Sequence, residues 1–371
     1  MSYPQAACPS GVGASETDGA SIRVMVVDDS AIARGLISRQ LATDPAIVVV
    51  ATAPHGEAAL AELDRREVDV VVLDIEMPVM DGLQALPLIL AAHPRVRVLM
   101  ASTLTRRNAE ISLRALQLGA CDYIAKPEGG LGSADEFKRD LIAKVKAFAP
   151  AARKVATQVQ TPSKPLIAPA SHPRPGPRTI PTVLAIGAST GGPPALLKVF
   201  EALKGSVAQP IFLTQHMPAT FTTLLAEQLS RVGDRPCQEG REGEIVRAGH
   251  CYIAPGGWHM TVMAERAGPT VRLNQNPPES FCRPAVDPMF RSLAVVYGAG
   301  VLGLILTGMG VDGAKGCVAL ADAGGRFVVQ DEATSVVWGM PGAAAATERA
   351  ERIMPLAEIG PWLCRATAVS A

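Results

Sequence analysis

From Ile22 onward, short runs of Val, Ile and Leu alternate with amphipathic stretches of helical length, and this rhythm is what most restricts the fold. The runs 22–27, 47–51, 68–73, 96–101 and 121–124 read as strands, and 30–43, 56–66, 82–92, 107–118 and 134–148 as helices. Five such βα units in about 125 residues predict an α/β domain, a five-stranded doubly wound parallel sheet with helices on both faces. Ligands of these sheets bind at the C-terminal ends of the strands. At those ends the sequence places Asp28, Asp29, Asp74, Ser102 with Thr103, and Lys126. Three carboxylates gathered there repel one another unless a divalent cation sits among them, and an oxygen-only set suits Mg²⁺. An aspartate beside that metal can take a phosphoryl group, with Lys126 and the Ser102 hydroxyl binding the added oxygens.

The rhythm stops at a stretch carrying Pro162, Pro165, Pro169, Pro173, Pro175 and Pro177, which reads as a semi-extended linker over 149–180. It then resumes with strands 182–187, 210–214, 301–306 and 326–329 and helices 193–203, 218–230, 284–298, 312–323 and 339–349. Short β segments near 244–253 and 260–273 read as β-hairpins inserted into a second doubly wound α/β sheet. The expected organisation is a disordered tail at 1–20, a first domain at 21–148, the linker, and a second domain at 181–371.

The 35 basic and 35 acidic residues cancel, so no net field favours nucleic acid or an anionic membrane. No apolar run reaches the roughly 18 residues of a membrane helix, so direct membrane insertion is not expected. Seven scattered cysteines without a C-x-x-C pair fit reduced thiols, hence the cytoplasm.

Residues 187–191 spell G-x-S-x-G between a β-prone run and a helix opened by Pro193. This spacing lifts a serine hydroxyl out of a sharp strand-to-helix turn, which makes Ser189 a candidate nucleophile. The same glycine-rich turn can instead cradle a phosphate at a helix N-terminus, and the motif alone leaves both open. On the second reading the C-terminal half is a ligand-binding module controlled by the first domain, without hydrolase activity. A nucleophile needs a base, and of His216, His250 and His259 the best placed is His216, at the end of the next strand after Ser189. His250 and His259 read as structural or substrate-lining. Among Asp234, Asp287, Asp312, Asp322 and Asp331, position favours Asp312, in the glycine-rich turn after the strand VLGLILTG, as the carboxylate that orients the imidazole. The order Ser, His, Asp differs from that of α/β-hydrolases.

VMVVDDS, VVLDIEMPVMDG, MASTLT and YIAKP together resemble response-regulator receiver domains. The resemblance implies that Asp74 is the phospho-acceptor, that Asp28 and Asp29 hold Mg²⁺ with the Glu76 carbonyl, and that Ser102 and Lys126 sense the phosphoryl group. Tyr123 takes the place of an aromatic switch. IGASTGGPP, TQHMP, IAPGGWHM, RPAVDPMF, LTGMGVDGAKG and VVQDEATSVVWGMP are similar to the catalytic domain of chemotaxis methylesterases, the CheB family. By that likeness Ser189, His216 and Asp312 form a triad, with Thr190, Arg283 and Met309 around it and the Met309 N–H as oxyanion donor. Cys282 departs from the pattern, standing where many relatives have His. The implied activity is hydrolysis of glutamate methyl esters, and deamidation of glutamines, on chemoreceptors. The implied partners are methylated chemoreceptors, a histidine-kinase phosphodonor and an opposing receptor methyltransferase. No cofactor is expected in the esterase domain.

Overall fold

The computed structural model describes residues 21–103, 105–126, 131–157 and 180–368. The tail expected at 1–20, and residues 158–179 of the linker expected at 149–180, lie outside these residues.

The N-terminal strands are β1 (Ile22–Val27), β2 (Ile47–Ala53), β3 (Val70–Asp74), β4 (Arg97–Ser102) and β5 (Asp122–Ala125). Between and after them run α1 (Ala31–Leu41), α2 (Gly56–Leu63), α3 (Gly82–Ala92), α4 (Arg106–Gln117) and α5 (Leu131–Thr157). The strands form one sheet in the order β2-β1-β3-β4-β5, every pair parallel. β3 is buried along its whole length, because helices cover both faces. Side-chain caps start the helices where the strands release the chain: Ser30 accepts from the Ala33 N–H, and Asp81 and Gln84 close a capping box. The expected five-stranded sheet is present, but α5 continues to Thr157, past the expected 148.

The C-terminal domain begins with β6 (Val183–Ala188), α6 (Gly192–Leu203), β7 (Ile211–Gln215) and α7 (Ala219–Gly233). β8 (Cys237–Glu239), β9 (Cys251–Ile253), β10 (His259–Glu265) and β11 (Gly268–Asn274) follow, then α8 (Val286–Tyr297) and β12 (Val301–Ile305). The chain closes with α9 (Ala314–Asp322), β13 (Arg326–Gln330), α10 (Met340–Ala345), β14 (Arg352–Met354) and α11 (Leu356–Thr367). Seven parallel strands run in the order β14-β13-β12-β6-β7-β9-β8. The inserted hairpins need correction. Among the strands of the described residues, only β10 and β11 form an antiparallel pair, while β8 and β9 join the main sheet in parallel. Both are three residues long, too short to show a period.

Strand order reverses between β6 and β12, so β6 stands centrally with β7 and β12 as neighbours. A switch point of this kind opens a crevice at the strand C-termini. The first domain lies against it: α4 packs on α7, Arg106 faces Glu227 at 3.7 Å, and Gln117 bonds Gln228 at 3.4 Å. Tyr123 of β5 stacks on Phe221 of α7, with ring centroids 4.2 Å apart and planes within 3°.

Each ring of this stack covers the other, so Tyr123→Ala uncovers Phe221 and costs about 3–5 kcal/mol. Calorimetry should then resolve separate unfolding of the two domains. An unchanged single transition in that variant counts against the stack as the tie between them.

Candidate active site

Ser189 directly follows β6, His216 directly follows β7, and Asp312 lies in the turn between β12 and α9. Adjacent parallel strands therefore deliver the three residues to one sheet edge. The turn after β6 is built for close approach. Gly191, at φ 75°, caps α6, and a Cβ on it would meet Val336 at about 2.6 Å. A Cβ on Gly308 would lie 2.9 Å from that of Ser189. The Ser189 carbonyl is held by the Gln215 amide at 2.9 Å.

His216 Nε2 lies 2.8 Å from Asp312 Oδ2. The same carboxylate accepts from the N–H groups of Val286 (2.6 Å), Asp287 (3.0 Å) and Gly313 (2.9 Å). Two of these are the first residues of α8, whose N-terminal dipole favours negative charge. Burial works to raise the Asp312 carboxyl, but the His216 bond and charge and these amides outweigh it and hold the group below its ordinary 3.8.

The other ring nitrogen, His216 Nδ1, lies 3.4 Å from Cys282 Sγ. Among the described residues, the Ser189 hydroxyl has no hydrogen-bond partner. Burial pulls the imidazole down, but the interaction with Cys282, then the hydrogen bond and charge of Asp312, push it up to about 10.

Ser189, His216 and Cys282 line a cleft of about 500 Å³ between the domains. Thr190, 3% exposed, donates to Asp122 of the first domain at 2.8 Å, and Lys144 reaches the same carboxylate oxygen at 2.8 Å. Arg283 lines the cleft with its guanidinium bonded to the carbonyls of Gln275 and Asn276. Met309 also lines the cleft, and its N–H has no partner among the described residues. His259 is a structural residue: it accepts from the Ala285 N–H at 3.2 Å and lies 3.2 Å from the Pro277 carbonyl. His250 is half-buried and bonds locally to Ala248. Sequence reasoning did not single out Asp122, Lys144 or the receiver face they belong to. The anomaly at Cys282 was visible, its contact with His216 was not.

In the first domain the carboxylates of Asp28, Asp29 and Asp74 offer ligand oxygens within 4.8 Å of one another. Lys126 Nζ lies 2.7 Å from both Asp28 and Asp74. Burial raises the Asp74 carboxyl, Lys126 opposes it, and the charge of Asp28 adds to the rise. Ser102 is buried at the end of β4, with its hydroxyl on the Thr103 carbonyl at 3.0 Å. Glu76 is exposed, its side chain 4.0 Å from Arg107.

Residues 184–363 match the CheB methylesterase family and residues 24–131 the response regulator receiver domain family. The chain is 50% identical to protein-glutamate methylesterase/protein-glutamine glutaminase 1 of Paramagnetospirillum magneticum, over 94% of this chain and 97% of that protein. It is 49% identical to the protein-glutamate methylesterase/protein-glutamine glutaminase of Azospirillum brasilense, over 97% and 96%.

A carboxyl held below its ordinary value contributes stability that is complete above the unfolded value of 3.8 and is lost as pH falls through the folded one. Asp312→Asn should therefore flatten the decline of stability with acid from about pH 5 downward. Urea unfolding at a series of pH values checks this; equal acid slopes in the two proteins would remove Asp312 from the balance.

Proposed function

The chain belongs to the CheB family of protein-glutamate methylesterases/protein-glutamine glutaminases with an N-terminal receiver domain, and we propose that Ser189, His216 and Asp312 carry its reaction. The observation that carries this reading is the His216–Asp312 hydrogen bond beside Ser189 at the switch point of the sheet. A cradle for phosphate needs no such pair, and nothing in the site favours the ligand-binding alternative.

With Nε2 on Asp312, the base is His216 Nδ1. It takes the Ser189 proton as Oγ attacks the γ-carbonyl carbon of a glutamyl methyl ester on a chemoreceptor. The tetrahedral oxyanion faces the Met309 N–H, while Thr190 and Arg283 shape the cleft. Imidazolium returns the proton to the departing methoxide, so methanol leaves. Water, deprotonated by His216, then attacks the acyl-serine and frees glutamate. With a glutamine substrate the same steps release ammonia.

The receiver supplies control. Asp28, Asp29 and Asp74, with the Glu76 carbonyl, suit Mg²⁺, since three clustered carboxylates with one lysine retain net negative charge. The ion when bound neutralises charge around the phosphoryl group that Asp74 receives from a histidine kinase. Lys126 and Ser102 read that added charge. Asp122, bonded to Thr190 next to the nucleophile, closes the cleft until the receiver shifts. The site residues thus divide between a switch at 21–148 and a hydrolase at 181–371, opposing a receptor methyltransferase. The cytoplasm suits this role. No helix among the described residues is long and apolar enough to cross a membrane, and the described cysteines are free.

Methanol release from methylated receptor should rise with acetyl phosphate and Mg²⁺ and should fall at least about 10³-fold in Ser189→Ala. Asp74→Asn should keep the unstimulated rate and lose the response to phosphodonor. Hydrolysis that survives Ser189→Ala, with the same response, would sink the triad.

A further inference from the structure

A histidine that serves a serine nucleophile must keep one ring nitrogen for its orienting carboxylate and offer the other to the hydroxyl. Here Asp312 holds Nε2, and the nitrogen left over faces Cys282 rather than Ser189. The sulfur is carried by a turn between Glu279 and Cys282, closed by reciprocal backbone hydrogen bonds of 3.2 and 2.9 Å. At its tip Ser280 and Phe281 have φ of 51° and 63°, a left-handed conformation that side chains seldom adopt. Such a turn needs holding. Arg291 anchors its base through two hydrogen bonds to Glu279, of 2.6 and 3.0 Å. The tip is held from the other domain. Phe281 is 82% exposed, yet the guanidinium of Arg139, on receiver helix α5, lies 5.2 Å from its ring centroid.

We propose that Cys282 is a positioning residue of the resting enzyme: its sulfur occupies the His216 nitrogen that Ser189 requires, and the receiver keeps it there by gripping Phe281 with Arg139. Receiver movement frees Phe281, the turn relaxes, and Nδ1 becomes available to Ser189. Sulfur suits this task because a thiol is a hydrogen-bonding partner for an imidazole nitrogen, and a nitrogen so engaged is not open to the Ser189 hydroxyl. The charged groups that line the same cleft are Asp122, Glu136, Arg139, Asp140 and Lys144 from the receiver and Arg283 from the esterase domain, while Asp312 meets His216 on its other nitrogen. The inference rests on the esterase reading for the roles of Ser189 and His216.

The test uses the full-length protein without phosphodonor. Methanol release from methylated receptor is compared among wild type, Cys282→Ala, Arg139→Ala and the double variant, and the His216 Cε1 proton is titrated by NMR. Cys282→Ala should raise the unstimulated rate about tenfold and lower the titration midpoint by about one unit or more. Arg139→Ala should raise the rate about two- to fivefold, the worth of an exposed cation–π contact. The double variant should match Cys282→Ala, since Arg139 acts through the sulfur. An unstimulated rate that is unchanged or lower in Cys282→Ala, with an unmoved midpoint, overturns the proposal. If Cys282→Ala does not fold, Arg139→Ala carries the test alone, and an unchanged rate and midpoint there overturn it equally. Ser189→Ala measured alongside separates the two readings: hydrolysis in that variant would defeat the triad, whereas the His216 midpoint reports on Cys282 regardless.

Discussion

One buried carboxylate, that of Asp312, fixes the geometry of the C-terminal domain's chemistry. A charge removed from water is costly unless hydrogen bonds replace its hydration. Its donors come from three places: the first turn of α8, the Gly313 amide at the start of α9, and the His216 ring after β7. Satisfying one charge therefore sets the positions of a helix, a turn and a base relative to one another. The glycines around the site follow from the same crowding. Gly313, at φ 88°, lets the turn bring its amide back to Asp312, and Gly308 lets the β12 edge approach Ser189.

The interface between the domains uses the same device with weaker surroundings. Asp122 is buried, and Lys144 and Thr190 together satisfy one of its oxygens. Beside it the Tyr123–Phe221 stack supplies apolar area, whereas the contacts at the rim are exposed charges and the open pair of Arg139 with Phe281. Exposed ion pairs contribute little and are screened by salt. An interface with a buried apolar centre and a weak rim can hold a resting state and still be displaced by a change of charge elsewhere in the receiver. Interfaces within one chain are commonly of this moderate strength.

The sheets were legible in the sequence because parallel strands covered on both faces leave continuous apolar runs, as in VLAIGA of β6, where every residue is buried. What escaped was short or interrupted. β14 is only Arg-Ile-Met with Arg352 and Ile353 exposed, and α11 carries Pro361 inside it, a residue that reads as a breaker. At the site, the His216–Asp312 pairing followed from strand adjacency, since both residues stand at ends of neighbours of β6. Asp122, Lys144 and Arg139 were not legible. They reach the cleft only through the packing of one domain on another, which no local pattern encodes. Cys282 is intermediate: its identity stood out, but its contact depends on a turn of two left-handed residues that nothing in Ser-Phe announces.

Strand β5 joins the two sites. Lys126, just beyond its C-terminal end, sits 2.7 Å from Asp28 and Asp74, and Asp122, at its start, holds Thr190. Tyr123, the next residue, forms the apolar half of the interface, and its carbonyl binds Lys144 at 2.8 Å. β5 is four residues long and stands at the edge of its sheet, paired with β4. On the proposed reading, a phosphoryl group on Asp74 competes for Lys126 with new negative charge, so the force arises at one end of β5 while the esterase cleft is closed by the other. The distance between signal and effect is thus a single strand.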